Sequence, residues 1–212
     1  MNDQIPTPDP LHDPSGDDTC EALLAAGREL FAQRGYDGAS IRAITGRAGA
    51  NLGAVTYHFG SKENLYHEVL RRAVTPLREQ VEAALRRPGP TVDRLVAVVE
   101  TYFEYFSRNP DLPRFLLQEV AAGRVPPPPV TETMKAISGR VAEVVREGQA
   151  RGEVRDGHPL LMMLSLISQP LYLVLMQRPL REVLGMDLNA PDTRPQVLDH
   201  IRAFARAGIA GE

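Results

Sequence analysis

Near the amino end, two short runs with apolar residues at helical spacing lie on either side of a glycine. Ser40 stands before the first run, where its hydroxyl fits an N-cap, and Gly49 follows that run, where a left-handed residue ends a helix. Asn51 is a second N-cap candidate and predicts a helix over residues 52–59. Two helices joined by so short a turn indicate a helix-turn-helix unit, whose second helix enters the major groove of DNA.

The second predicted helix offers a face that suits contact with DNA. Its outward positions, together with the residue just past its end, are small, polar or basic: Gly53, Ala54, Thr56, Tyr57, His58 and Lys62. Small residues allow the helix to approach base edges closely, and hydroxyl, ring N–H and ammonium groups donate to phosphate oxygens. A buried helical hairpin without DNA-binding activity is the competing interpretation of the same pattern.

Apolar residues recur at helical spacing along the rest of the chain, and no alternating pattern typical of strands is present. We therefore predict an all-α fold of about nine helices: a three-helix helix-turn-helix DNA-binding domain followed by a larger α-helical ligand-binding and dimerisation domain. Besides the two short helices, helices are expected over residues 18–34, 62–87, 91–109, 111–123, 130–151, 159–176 and 193–207. Gly35 should end the first helix, Pro76 should bend the long one, and Thr91 should cap the next. Residues 126–129 are expected to form a stiff polyproline connector.

The charge distribution separates an acidic arm from the remainder of the chain. There are 24 Lys and Arg against 27 Asp and Glu, for a net charge of −3, and five of the Asp lie within residues 1–19, which hold no Lys or Arg. The remainder therefore carries two more basic than acidic residues, which is compatible with a small DNA-binding module. We expect residues 1–17 to be a disordered, proline-rich arm, residues 18–66 to be the DNA-binding domain, and residues 67–212 to be the effector-binding and dimerisation domain.

Composition and motifs also narrow the class of protein. A single cysteine excludes an intramolecular disulfide, and neither a signal sequence nor a membrane span is expected, so the predicted location is the cytoplasm. The chain has no Walker loop, nucleophile elbow or dinucleotide-binding glycine motif, and its five histidines are scattered. We therefore expect no enzyme, no metal and no cofactor; a helical adaptor that binds only proteins remains an alternative, and an enzyme is the less favoured one.

The order of residues over 22–66 resembles the TetR family of transcriptional regulators. The features that carry the resemblance are Phe31, Gly35-Tyr36, Ser40-Ile41, Ala48-Gly49, Tyr57-His58-Phe59 and Lys62-Glu63-Asn64-Leu65. Two positions depart from the usual form, since Thr45 replaces a common alanine and Gly46 stands within a helix. Neither position is on the expected DNA face, so the departures concern local stability, where Gly costs about 1 kcal/mol relative to Ala.

The resemblance implies a role for each matching residue. Positions that usually meet base edges are occupied by Asn51, Leu52, Gly53 and Ala54. Positions that usually meet phosphates are occupied by Thr56, Tyr57, His58 and Lys62, with Ser40 and Arg42 flanking them on the preceding helix. Bidentate base contacts would come from Asn51 or Arg42, so part of the specificity is expected to come from DNA shape.

The resemblance also implies the use of the carboxyl-terminal region. Regulators of this kind are usually homodimers, paired through their last two helices, and bind palindromic operator DNA as repressors. An unknown small-molecule effector typically shifts the long connecting helix and releases the DNA. Residues 111–123 and a later Arg-Glu-Val-Leu-Gly segment resemble the subgroup with a CecR-like carboxyl-terminal domain.

Residues 159–176 are the most apolar stretch of the chain, yet Ser165, Ser168, Gln169 and Pro170 argue against a membrane span. A dimer seam and a ligand cavity are both compatible with so much apolar surface. Candidate ligand-binding residues mix aromatic, thioether and amide side chains: Tyr102, Phe106, Gln118, Met134, Met162, Gln169 and Tyr172. Ordinary core packing is the competing interpretation of each of them.

Overall fold

The computed structural model describes residues 14–211, with side chains described from residue 16 onward. The arm expected over residues 1–17 therefore lies mostly outside the described residues. The described chain forms nine α-helices: α1 (Pro14–Gly38), α2 (Ile41–Ala48), α3 (Ala54–Phe59), α4 (Lys62–Leu85), α5 (Thr91–Arg108), α6 (Asp111–Ala121), α7 (Pro128–Ala150), α8 (Pro159–Leu184) and α9 (Thr193–Ile209). Within residues 14–211 the one extended pairing is an isolated bridge between Val154 and Ala210, so the prediction of an all-α fold is confirmed.

The described chain divides into two compact units between Val69 and Leu70, within α4. In the first unit, α1 packs against both α2 and α3. The core includes the fully buried side chains of Leu23, Ile44 and Val55, one from each of these helices. Burial of large aliphatic side chains from all three helices fixes their mutual arrangement, at about 1.5–3 kcal/mol for each side chain.

Both ends of α1 differ in detail from the prediction. The helix begins at Pro14, about four residues before the expected start, so residues 14–17 are helical. Gly35 breaks the helix as predicted, because its φ of 69° and ψ of 178° are non-helical. Close to this break, the Arg47 guanidinium of α2 donates to both carboxylate oxygens of Glu29 in α1, each at 3.0 Å.

In the second unit, α5 packs against α7, α8 and α9. Its inward residues include Leu95, Val99 and Phe103, none of which is exposed to solvent. The hydroxyl of Tyr105 in α5 donates a hydrogen bond of 2.6 Å to the carbonyl of Ala73 in α4. This carbonyl lies one turn before Pro76, whose ring nitrogen has no proton for the helical hydrogen-bond series.

The start of α5 corrects the expected capping by Thr91, which is itself the first helical residue. Its N–H donates to the Glu153 carboxylate at 2.5 Å, and its hydroxyl accepts from Arg151 at 2.6 Å. The pKa of Glu153 is lowered to about 2. The hydrogen bonds with Thr91 make the largest contribution, and the interaction with Arg151 makes a smaller one. The partner of this helix end thus lies about 60 residues away, where a local capping pattern cannot reveal it.

The structure also changes two other predicted elements. The expected polyproline connector is wrong in its second half, because Pro128 and Pro129 form the first turn of α7, where a missing N–H costs no helical hydrogen bond. Helix α8 continues to Leu184, eight residues beyond the expected end, and contains both Pro170 and Pro179.

By length and composition alone, α8 is apolar enough to cross a bilayer, and 28% of its most apolar window is buried. Four large apolar side chains on its outer side are substantially exposed: Leu160, Leu161, Leu164 and Tyr172. Phe204 of the neighbouring α9 is also 56% exposed. Much apolar surface of these two helices is therefore uncovered by the chain itself.

Candidate nucleic-acid interface and ligand cavity

The turn between α2 and α3 is built by residues that the sequence identifies. The Ser40 hydroxyl accepts a hydrogen bond of 3.1 Å from the N–H of Ala43, which confirms it as the N-cap of α2. Gly49 has a φ of 68° and ends α2 in the left-handed conformation, as predicted. Thr45 is buried, and its hydroxyl donates to the carbonyl of Ile41 at 3.0 Å, so this unusual residue is satisfied within its own helix.

The start of α3 differs from the prediction. The helix begins at Ala54 with Gly53 at the cap position, and no side chain accepts a hydrogen bond there. Asn51 therefore does not act as the expected N-cap. Instead, its carbonyl accepts from the N–H of Ala54 at 3.1 Å, and residues 51–53 form a turn. The side chains of Asn51 and Leu52 project from this turn, and both are exposed.

Helix α3 separates its residues into an inward and an outward face. Ala54 and Val55 are buried against the first unit, so the methyl group of Ala54 is not available to base edges, contrary to the expectation. Thr56 is exposed, Tyr57 is 84% exposed and Leu52 of the preceding turn is 62% exposed. We call Leu52, Thr56 and Tyr57 the recognition face. A tyrosine so open to solvent does not contribute to the core of its own domain.

Next to this face, a second turn positions Lys62 at the start of α4. Gly60 has a φ of 76°, and Ser61 accepts a hydrogen bond of 3.1 Å from the N–H of Asn64, capping α4. The Asn64 amide donates to the carbonyl of Phe59 at 2.9 Å and ties the end of α3 to α4. Ser61 was not predicted as a cap, although a serine three residues before Asn64 was a usable signal.

The ammonium group of Lys62 lies 4.2 Å from the centre of the Tyr36 ring, within range of a cation–π interaction. Tyr36 packs in turn on Tyr66, with 4.8 Å between ring centres. Burial, with smaller contributions from Glu63 and Asp37, raises the pKa of the Tyr36 hydroxyl, so the ring stays uncharged at neutral pH. The contact with the Tyr36 ring holds the Lys62 side chain in place. This role of Tyr36 was not predicted from the sequence.

The remaining predicted DNA-binding residues differ in exposure. Ser40 and Arg42 are exposed, at the cap and in the first turn of α2. His58 is half-buried, and its ring lies edge-on to Tyr57 with 4.9 Å between ring centres. The structure therefore brings together the exposed Ser40, Arg42, Asn51, Leu52, Thr56 and Tyr57 on α2, α3 and the turn between them, with Lys62 at the start of α4.

The second unit contains a cavity of about 180 Å³ lined by residues of α4 to α8. Tyr102, Phe106 and Met134, three of the predicted ligand-binding residues, line it. Most of the other lining residues are aliphatic, and Val74 and Leu77 come from α4. Burial raises the pKa of the Tyr102 hydroxyl, so this group is protonated at neutral pH and can donate a hydrogen bond.

Four other predicted ligand-binding residues do not line this cavity. Gln118 and Tyr172 are exposed, Gln169 is half-buried, and Met162 packs beside Gly157 at the connection before α8. Because α8 is apolar nearly all round, its sequence does not indicate which side faces the cavity. Thr133 and Ser138 of α7, the two small hydroxyl-bearing residues of the lining, were not predicted.

Comparison with known proteins places these features in a family context. The family described as bacterial regulatory proteins, tetR family, matches residues 23–69, which contain α2, α3 and the start of α4. The family described as tetracyclin repressor-like, C-terminal domain, matches residues 92–204. This second match covers most of the cavity, whereas the resemblance to a CecR-like domain stays a prediction.

Two characterised relatives show how far the similarity extends. The chain is 30% identical to the HTH-type transcriptional repressor NicS of Pseudomonas putida over 167 residues, which cover 71% of this chain and 74% of NicS. It is 39% identical to the HTH-type transcriptional activator FasR of Mycolicibacterium smegmatis over 87 residues, and this match spans only 40% of FasR.

Two solved structures share the fold at low sequence identity. A transcriptional regulator from Saccharomonospora viridis in complex with choline has a TM-score of 0.70 and 22% identity, covering 92% of this chain and all of that one. The ketosteroid transcriptional regulator KstR2 of Mycobacterium tuberculosis has a TM-score of 0.69 and 22% identity, covering 91% and 95% of the two chains. At these identities the similarity shows the fold alone.

Proposed function

The chain belongs to the TetR family of bacterial transcriptional regulators, and on that premise we propose that it is a homodimeric repressor of the cytoplasm whose palindromic operator is released in response to a small molecule. Proteins of this family bind DNA and regulate transcription, and they are not enzymes. The relatives named above include both a repressor and an activator, so the direction of regulation belongs to the proposal.

The observation that carries the proposed DNA contact is the recognition face. One side of α3 is buried, while Tyr57 on the other side is 84% exposed beside the exposed Thr56. Hydroxyl groups so placed donate to phosphate oxygens, and Lys62 adds the positive charge that makes binding depend on salt. Asn51 and Arg42 are the exposed side chains with the chemistry for base edges, and Leu52 can contact a thymine methyl group.

Exposed apolar surface supports the proposed homodimer. Leu161 and Tyr172 of α8 and Phe204 of α9 are each more than half exposed, and α8 packs beside α9. Contiguous apolar surface of this kind marks an interface, and a second copy of the chain covers it by two-fold symmetry. Two DNA-binding domains related in this way match half-sites that are about one helical turn of DNA apart, or a multiple of it.

The cavity of the second unit supports the proposed small-molecule response. A protein from Saccharomonospora viridis with the same fold has been solved in complex with choline, so a protein of this fold can hold a small molecule. In this chain, Val74 and Leu77 of α4 line the cavity, and α4 also begins with Lys62. We assign residues 18–66 to DNA binding and residues 67–212 to effector binding and dimerisation, and the arm over residues 1–17 to neither.

Genomic fragments captured by the full chain and then footprinted test the proposal. We expect protected half-sites with two-fold symmetry and stronger protection at low salt. Arg42→Ala should weaken binding and relax the preference at one position of each half-site, whereas Arg140→Ala, which removes an exposed arginine of α7, should not. A protein that bound no duplex at low ionic strength would refute the proposed function.

A further inference from the structure

The cavity of the second unit has a lining without charge. Among the described residues that line it there is no Asp, Glu, Lys, Arg or His. A charged group that leaves water for such a site loses its hydration and gains no counter-charge, which is far more costly than burying a hydrocarbon. The lining therefore discriminates against ions of either sign.

The polar groups of the lining are three hydroxyls, on Tyr102 of α5 and on Thr133 and Ser138 of α7. Within the described part of the chain, the structure records no hydrogen bond from any of the three, although other hydroxyls of the same unit donate to carbonyls of their own helix. Tyr102 is 93% buried, since its exposed fraction is 7%. A hydroxyl beside an apolar cavity that has no acceptor from the chain can donate to a ligand oxygen that enters the cavity.

The dimensions of the cavity limit the size of the apolar body that it encloses. An apolar protein cavity of about 150 Å³ holds a benzene ring, so this cavity of about 180 Å³ suits one ring or two fused rings. Met134 and Leu164 line the cavity and are also about half exposed, which identifies them as its mouth. A larger ligand can extend past these two side chains into solvent.

We propose that this cavity binds an uncharged, predominantly hydrocarbon ligand with a hydroxyl or carbonyl oxygen placed at the hydroxyl of Tyr102. The inference rests on the proposed ligand response, because it names the chemical class of the effector. It goes beyond that response in excluding acids and amines that are charged at neutral pH.

Four ligands with the same fused ring test the proposal: naphthalene, 2-naphthol, 2-naphthoate and 2-naphthylmethylammonium. Their fluorescence reports binding directly, because the chain has no tryptophan. The full chain without DNA should bind 2-naphthol at least about tenfold more tightly than either ion, because burial of an unpaired charge is costly. Equal or tighter binding of an ion, or binding of none of the four at millimolar concentration, would overturn the proposal.

Two tyrosine variants locate the polar contact. Tyr102→Phe should reduce the preference for 2-naphthol over naphthalene at least about threefold, because the ring keeps its packing and loses only the donor. Tyr57→Phe is the matched control, since this exposed tyrosine belongs to the first unit, lies outside the cavity, and no DNA is present in the measurement. An unchanged preference in Tyr102→Phe would refute the assignment of the ligand oxygen.

Release of a footprinted operator is measured separately from ligand binding. A protein that binds 2-naphthol selectively but keeps its operator would contradict the proposed repressor response and leave the ligand class intact. A protein that releases its operator on addition of an organic ion bound in this cavity would support the proposed repressor response and contradict the proposed ligand class.

Discussion

The side chain of Tyr57 is exposed and contributes little to the packing of its own domain. We therefore expect its main contribution to be a contact with DNA. Tyr57→Phe should weaken operator binding about threefold to tenfold in each half-site, the expected loss for one hydrogen bond, without changing the dimer. Fluorescence anisotropy with a labelled operator gives the affinity. Equal affinities for Tyr57→Phe and the unaltered protein would remove Tyr57 from the contacts.

Lys62 and Lys135 are the two lysines of the chain, which makes a matched comparison of charge possible. Lys62→Ala should weaken binding to all duplexes and lower the slope of log affinity against log salt by about one for each DNA-binding domain. Lys135→Ala removes the same charge from an exposed site on α7 and should leave the slope unchanged. If the two variants had the same slope, Lys62 would not contact phosphate.

At the scale of residues, the sequence predicted the type of site better than the orientation of its side chains. The predicted roles of Ser40 and Gly49 at the ends of α2 are correct, because each residue bonds to partners no more than four positions away in the sequence. Ala54 was placed on the wrong side because Leu52 was expected on the inward face, whereas α3 begins two residues later, leaves Leu52 exposed and buries Ala54 beside Val55. The contact of Lys62 with Tyr36 joins residues that are distant in sequence, so periodicity does not indicate it.

Among the helices, α4 is held by α5 beside its internal proline. Tyr105→Phe should lower the free energy of unfolding by about 1–2 kcal/mol, because it leaves the carbonyl of Ala73 with one buried hydrogen bond fewer. Denaturant titration followed by circular dichroism measures this change. Tyr57→Phe, whose side chain is 84% exposed, should have no effect, and a similar loss in both variants would exclude a specific contribution of Tyr105.

The connection between α7 and α8 stabilises the start of α5 through the ionised carboxylate of Glu153. Since folding lowers the pKa of Glu153 to about 2, its contribution is complete above the ordinary pKa near 4.5 and is lost as the pH falls toward 2. Glu153→Gln should therefore lower the melting temperature by a constant amount above about pH 5, with a smaller difference below pH 4.

The exposed Glu147 of α7 offers a control for this pH dependence. Glu147→Gln should follow the melting curve of the unaltered protein at every pH. A gap for Glu153→Gln that stayed constant down to pH 2 would mean that shape, and not charge, is what α5 requires at its first residue.

The helices themselves were largely predictable, and their ends were not. Apolar spacing gave the correct order of all nine helices in the described residues, because each buries a continuous stripe. The end of α8 was missed because Pro179 resembles a stop signal, although the helix continues through it to Leu184. The cap of α5 comes from another part of the chain, and only the folded structure shows it.

For the whole molecule, the proposed dimer depends on apolar surface that one chain leaves open. Leu161→Glu should raise the dimer dissociation constant tenfold or more, because it brings a charge into a desolvated interface. Val120→Glu makes the same change at an exposed valine of α6 and should leave the assembly intact. Sedimentation measures both variants, and a dimer insensitive to Leu161→Glu would place the interface elsewhere.

The DNA-binding domain was predicted to end at residue 66, where the family pattern ends, and the described chain divides into compact units after Val69. The cavity was predicted for only three of its residues, Tyr102, Phe106 and Met134. A cavity is the space between packed helices, so its lining depends on how five helices pack together, and no single helix records that arrangement.

The neutral lining has a consequence for the conditions under which the regulator senses its effector. None of the described lining side chains gains or loses a proton across the range in which cells live, since burial moves Tyr102 further toward its protonated form. Occupancy of the cavity should then depend on the concentration of the effector and not on the pH of the cell, even when the surrounding medium becomes acidic.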